Sequence, residues 1–385
     1  MGPVAPEHTS ILANCLASID PDRLAATLVE LIAIPSVNPF DAEPVDGLRE
    51  DRVAEYLAAR LTRLGWAARS SPFAPGRPNV VARLEGTGDA ASRPSLMFAG
   101  HTDTVETTGY PDALRGQVRD GRVHGRGACD MKAALACYLE VAEVLARHGV
   151  RFAGDLLVAG VGDEEYRQRG AKALGAAGTR ADGVVIGKPT ELTVCQATKG
   201  LAAFELRVRG SATHGSVPRA GSNAVATAAE LIRRFGRYER LLEERQHPLL
   251  GPPTVNVGVV AGGVKPNIVP SSCRVGFSRR LLPGETPDQV RAEVVEALRG
   301  VVADELWDVD DAWWTVLPYE LPDGHDLGAL VCRAAAESGV EDCVPHGFPA
   351  SSDAAYFGSP VVLFGPGSLA QAHSLDEWVD IGDMV

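Results

Sequence analysis

At 385 residues the chain is longer than one hydrophobic core usually serves, so two domains are expected. Its 45% apolar and 23% charged residues describe an ordinary soluble globular protein. A formal charge of −13 argues against a nucleic-acid or anionic-membrane surface, and no stretch approaches the roughly 18 uninterrupted apolar residues of a membrane span.

The first eleven residues lack a cationic start followed by an apolar run, so no secretory leader is expected. A helix opens at Asp20-Pro21, runs through Leu24, Leu28, Leu31 and Ile32, and ends at Ile34-Pro35-Ser36. A second amphipathic helix is predicted over 48–64, then strands over 80–84 and 95–99, the latter leading into His101. The pattern is helical over 132–146, and buried strands follow over 155–161 and 181–186. Strands alternating with helices predict an α/β domain with a mostly parallel sheet, whose ligands collect at the strand carboxyl ends.

The texture changes at Lys199-Gly200. Strands over 202–208, 254–260 and 273–280, helices over 223–238 and 286–298, and a last strand near 313–317 predict an inserted, ferredoxin-like α+β unit. The α/β pattern resumes with a helix over 326–338 and a strand over 361–364. The expected division is therefore 1–198 plus 318–385 for a catalytic domain and 199–317 for a dimerisation or lid domain. Seven cysteines (Cys15, Cys129, Cys137, Cys195, Cys273, Cys332 and Cys343) form an odd set with no Cys-x-x-Cys pair. Reduced thiols and a cytoplasmic location are the expectation.

Five separated stretches carry imidazole, carboxylate or ammonium groups: His101-Thr102-Asp103, Asp130, Glu164-Glu165, Gly187-Lys188-Pro189-Thr190 and His373. His101 and Asp103, two apart at a strand end, can face one side, with the aspartate accepting the second imidazole N–H. The same pair can equally be a metal-free hydrogen bond. Asp130 before a helix is by itself explained as an N-cap. Adjacent acids Glu164 and Glu165 repel unless a cation lies between them or one is protonated. One could ligate a metal while the other serves as general base, although with Asp163 they also read as a solvated acidic run. A loop histidine such as His373 is, alone, more often solvated.

Taken together, the pieces resemble the M20 family of metal-dependent amidohydrolases, which includes acetylornithine deacetylases, succinyl-diaminopimelate desuccinylases, aminoacylases and glutamate carboxypeptidases. The carriers are Gly100-His101-Thr102-Asp103, Gly125-Arg126-Gly127 through Asp130-Met131-Lys132, and Asp163-Glu164-Glu165. Gly187-Lys188-Pro189-Thr190, Thr198-Lys199-Gly200, His214, Asn267-Ile268-Val269-Pro270 and Ala372-His373 add to them. The resemblance implies that His101 binds one metal, Asp130 bridges two, and Glu165 with His373 holds the second. It implies Glu164 as general base, Asp103 as the group orienting His101, and a cis bond between Asp130 and Met131. His214 would stabilise the oxyanion in a partner's active site, and Asn267 and Arg280 would hold a substrate carboxylate.

The family carries an acid where this chain has Lys188. An ammonium repels a divalent cation, so one metal is expected, zinc or alternatively cobalt or manganese, with the second site weak or absent. The implied activity is cytoplasmic hydrolysis of an amide bond in an N-acyl amino acid or small peptide by a homodimer. The same scaffold redirected to acyl transfer or a biosynthetic condensation is one alternative. A non-catalytic dimer binding an amino-acid-like ligand is another, against which the retention of Glu164 argues.

Overall fold

The computed structural model describes residues 6–42, 49–341 and 344–385, the first five of these by backbone alone. Residues 1–5, the expected helix start at Leu48, and Cys343 lie outside the described residues. Contacts divide the chain into two compact units: Met1–Gln196 with Leu321–Pro345 and Tyr356–Val385, and Ala197–Glu320 with His346–Ala355. The expected division places His346–Ala355 with the larger domain, whereas its contacts group it with the second unit.

The first unit is built on a mixed sheet in which the strands lie in the order Ala67–Ala74, Arg77–Leu84, Asp155–Val161, Ser95–His101, Gly183–Ile186 and Val361–Leu363. The last four run parallel. Their apolar runs are buried on both faces, as parallel strands between helices must be. Helix Pro21–Ala33 is capped by the Asp20 carboxylate, which accepts from the backbone N–H of Asp22 and Arg23. It buries Leu24, Leu28, Leu31 and Ile32, the stripe that a 3.6-residue period places on one face.

The second unit is an antiparallel sheet in the order Val255–Gly262, Ser272–Leu281, Gly200–Arg209 and Trp307–Val309, with Trp314–Val316 pairing farther along Gly200–Arg209. Helices Ala224–Glu243 and Pro287–Leu298 complete the ferredoxin-like arrangement around a core of Phe204, Leu206, Leu231, Phe235, Val275 and Phe277. Asn223 caps the first helix, and Thr286 and Gln289 form a capping box on the second. The last strand expected near 313–317 is Trp314–Val316, and a further short strand, Trp307–Val309, precedes it.

Candidate metal centre

The carboxyl ends of the parallel strands present the polar residues of the first unit. His101 ends its strand, Glu164-Glu165 follow Asp155–Val161, and Lys188 follows Gly183–Ile186. Asp130 lies in the turn Ala128–Lys132 ahead of helix Ala133–Arg147, and its bond to Met131 is cis. It does not cap that helix, whose N-cap position is Lys132. A Cβ on Gly187 would stand 2.2 Å from the Ala134 methyl and 2.5 Å from the Tyr138 hydroxyl, so only glycine lets the Lys188 loop lie against this helix.

Oδ1 of Asp130 lies 2.8 Å from Nε2 of His101 and 2.8 Å from Nζ of Lys188. The ammonium also stands 2.9 Å from that imidazole nitrogen and 3.1 Å from Oε1 of Glu164. Lys188 is only 3% exposed. Burial works against its charge, but the carboxylates of Asp130 and Glu164 overcome this and hold its pKa above the ordinary lysine value. Burial likewise opposes ionisation of Asp130, and Lys188 and His101 reverse it, keeping that carboxyl well below the usual range. At Glu164 burial prevails over the Lys188 charge and raises the carboxyl pKa.

On the other side of Asp130, Nε2 of His373 is 3.2 Å from Oε2 of Glu165 and 3.9 Å from Oδ2 of Asp130. The hydrogen bond to Glu165 raises the His373 pKa. Oε1 of Glu165 is buried without a hydrogen-bond partner. Two carboxylates and an imidazole facing one another, with a buried oxygen unsatisfied, fit a divalent cation held by Asp130, Glu165 and His373. His101, Asp130 and Glu165 also offer ligand atoms within 4.8 Å of one another. The position between His101 and Asp130, however, is filled by the Lys188 ammonium, which offers no lone pair; as arranged it does not fit a second cation.

Asp103 differs from the expectation. Nδ1 of His101 bonds at 2.9 Å to the backbone carbonyl of Asp103, whose carboxylate stands 3.7 Å away. The carboxylate instead accepts the backbone N–H groups of Glu164 and Glu165 at 3.1 and 3.0 Å and the side-chain amide of Asn38 at 2.7 Å. The strand ends at His101, so the two-residue alternation behind the expectation no longer applies.

Sequence reasoning missed Glu377. Its carboxylate accepts N–H bonds from Gly127, Cys129 and Asp130 at 2.9, 2.9 and 3.0 Å and pairs with Arg126 at 2.7 Å, fixing the turn that carries Asp130. No residue type nearby signals this, because its main partners are backbone groups. In the second unit His214 is exposed, with Nδ1 2.7 Å from the Ser216 hydroxyl, and a backbone bridge to Ile268 brings it beside Asn267. Arg280 pairs in register with Leu201, and Lys199 lies just ahead of that strand, within reach of the Arg280 charge. Burial lowers the pKa of Arg280, and burial followed by Arg280 lowers that of Lys199. Among the described residues no carboxylate forms an ion pair with Arg280, whose guanidinium reaches the Ser351 hydroxyl at 3.4 Å.

The fold and the site define a hydrolase class, and the chain belongs to peptidase family M20/M25/M40, whose profile matches residues 97–385. It is 32% identical over 374 residues to the acetylornithine deacetylase of Myxococcus xanthus, covering 94% of each chain. It is 26% identical over 368 residues to the N-formyl-4-amino-5-aminomethyl-2-methylpyrimidine deformylase of Bacillus subtilis, covering 86% of each. A solved tripeptidase from Staphylococcus aureus has the same fold, with a TM-score of 0.76 at 22% identity over 95% of each chain. The protein is thus a metal-dependent hydrolase acting on C–N bonds.

Proposed function

We propose that this chain hydrolyses the amide bond of an N-acyl amino acid or small peptide with one resident metal, the Lys188 ammonium standing in the position of a second. The observation that carries this reading is the contact of Nζ with His101, Asp130 and Glu164, all within 3.1 Å. Asp130, Glu165 and His373 would hold the metal, zinc or alternatively cobalt or manganese, which when bound supplies Lewis acidity to the substrate carbonyl. Glu164 takes the proton of the attacking water and delivers it to the departing amine; a carboxyl pKa raised by burial makes the carboxylate a stronger proton acceptor. Lys188 neutralises Asp130 and places positive charge beside the base, where negative charge develops on the substrate oxygen.

Asn267 and Arg280 would hold the substrate carboxylate, with Lys199 adding positive charge near Arg280, and His214 would stabilise the oxyanion in a partner's active site. The relatives named a deacetylase and a deformylase support a small acyl group. A homodimer is supported by the strand Val255–Gly262, which is one edge of its sheet and exposes Val259 and Val260. Among the described residues no helix is long and apolar enough to cross a membrane, and Cys15, Cys129, Cys137, Cys195 and Cys273 carry free thiols, which supports a cytoplasmic location.

The test is a hydrolysis panel of N-formyl, N-acetyl, N-succinyl and dipeptide substrates with added zinc, cobalt or manganese, the wild type beside Lys188→Glu. Turnover by the wild type with one tightly held metal per chain supports the reading. Two tightly held metals in the wild type, or turnover by the mutant alone, overturns it.

A further inference from the structure

Behind the metal centre lies a set of buried charges that the hydrolytic reading leaves without a task. Glu50, Arg77, Asp103 and Asp163 are each at most 2% exposed, and Asn38 is 1% exposed. Arg77 pairs with the Glu50 carboxylate through two hydrogen bonds and reaches Oδ1 of Asp163 at 3.0 Å. Glu50 accepts the backbone N–H of Asp163 at 2.9 Å. Arg169 holds Asp163 from the opposite side at 2.7 and 3.0 Å.

Asn38 joins this set to the reacting groups. Its side-chain oxygen accepts the backbone N–H of Phe40 at 2.9 Å, so the nitrogen must point the other way. That nitrogen donates to Oδ2 of Asp103 at 2.7 Å and to Oδ1 of Asp163 at 3.1 Å. Both protons of one amide are therefore spent holding two buried carboxylates together. Asp103 in turn receives the backbone N–H groups of Glu164 and Glu165.

We propose that Asn38 is a positioning residue: through the Asp103 carboxylate it sets the backbone from which Glu164 and Glu165 project. Resting on the hydrolase reading above, this assigns Asn38 a task at the proton-transfer step and at the metal without contact to either. Removing the donor leaves two buried carboxylates facing each other, and the Glu164-Glu165 turn loses the fixed acceptor that orients it. Outer partners of this kind typically change activity or metal affinity by about 10–100-fold.

The experiment compares the wild type, Asn38→Ala and Arg169→Ala in full-length protein. Arg169→Ala removes a partner of Asp163 that does not touch Asp103, and so reports the cost of loosening the buried set alone. Three quantities are measured: Tm, zinc affinity by chelator competition, and kcat and KM on the best substrate of the panel. The expected result for Asn38→Ala is a loss in kcat of about tenfold or more with KM within about threefold, and zinc affinity weakened about tenfold. Arg169→Ala is expected to lower Tm and leave kcat and zinc affinity within about twofold. Asn38→Ala with wild-type zinc affinity, or losses no larger than those of Arg169→Ala at equal Tm, overturns the proposal. Should the wild type cleave nothing in the panel, the hydrolytic reading fails on its own, and the zinc affinities still decide the role of Asn38.

Discussion

Oδ1 of Asp130 is shared between two nitrogens, Nε2 of His101 and Nζ of Lys188, each 2.8 Å away. A carboxylate oxygen that would face a cation from solution faces one carried on the chain. The charge of Lys188 is thus tied to the charges of Asp130 and Glu164, and exchanging it tests the whole arrangement.

Lys188→Met keeps much of the side-chain volume and deletes the charge. In metal-free protein the buried carboxylates of Asp130 and Glu164 then lose the ammonium between them and keep only the His101 imidazole, and removal of one partner from such a set costs about 3–5 kcal/mol. Chemical denaturation with chelator present should show the loss, and added zinc should restore part of it. Unchanged stability without metal would mean that Lys188 is not paired as found.

Glu164→Gln keeps the shape and removes the proposed base. The proposed metal residues Asp130, Glu165 and His373 are untouched, so zinc stoichiometry should match the wild type while kcat falls by about 10²–10⁴-fold. Steady-state kinetics with metal analysis separates this from a mere loss of metal.

Glu377→Gln tests the support of the Asp130 turn. The amide can accept fewer of the N–H bonds from Gly127, Cys129 and Asp130, and Arg126, 2% exposed, loses its counter-charge. Stability should fall by about 3 kcal/mol, and zinc affinity by about 10–100-fold, read by denaturation and chelator competition.

Asp163 gives the protein an acid-sensitive element. Burial disfavours its charge, but the hydrogen bond from Arg169, with Arg77 and Asn38, holds its carboxyl below the ordinary aspartate value. A depressed folded pKa gives stability that is fully present above the unfolded value of about 3.9 and is lost as pH falls through the folded value. Wild type should therefore exceed Arg169→Ala in Tm at pH 6, and the gap should close on acidification below about pH 4. The pair is partly exposed through Arg169, so the gap should correspond to about 1 kcal/mol or less.

The parallel strands could be seen in the sequence because runs such as Leu156 to Val161 are apolar without interruption. The hairpin Ala67–Ala74 with Arg77–Leu84 was legible only at its inner end: Arg69, Ser70 and Ser71 on the edge strand are exposed and carry no apolar period. Trp307–Val309 is too short for a period to register. At the site, the structure brings His101, Asp130, Glu164, Glu165, Lys188 and His373 together; His101, Glu164, Glu165 and Lys188 sit at or just past strands whose apolar pattern locates their ends, and Asp130 sits just ahead of a helix. What spacing could not show was the Asp103 carboxylate turning to backbone N–H groups, or Glu377 doing the same beneath Asp130. Backbone donors look alike at every position, so a residue that binds them leaves no mark in composition.

An ion held by ligands can be stripped by a chelator, exchanged for a neighbour in the periodic series or withheld by scarcity. A charge covalently attached at position 188 is translated with the polypeptide, arrives in fixed stoichiometry and leaves only by mutation. The ammonium at this centre is in that sense inherited rather than acquired, and in the proposed one-metal reading the cell's metal supply would govern only the position facing His373.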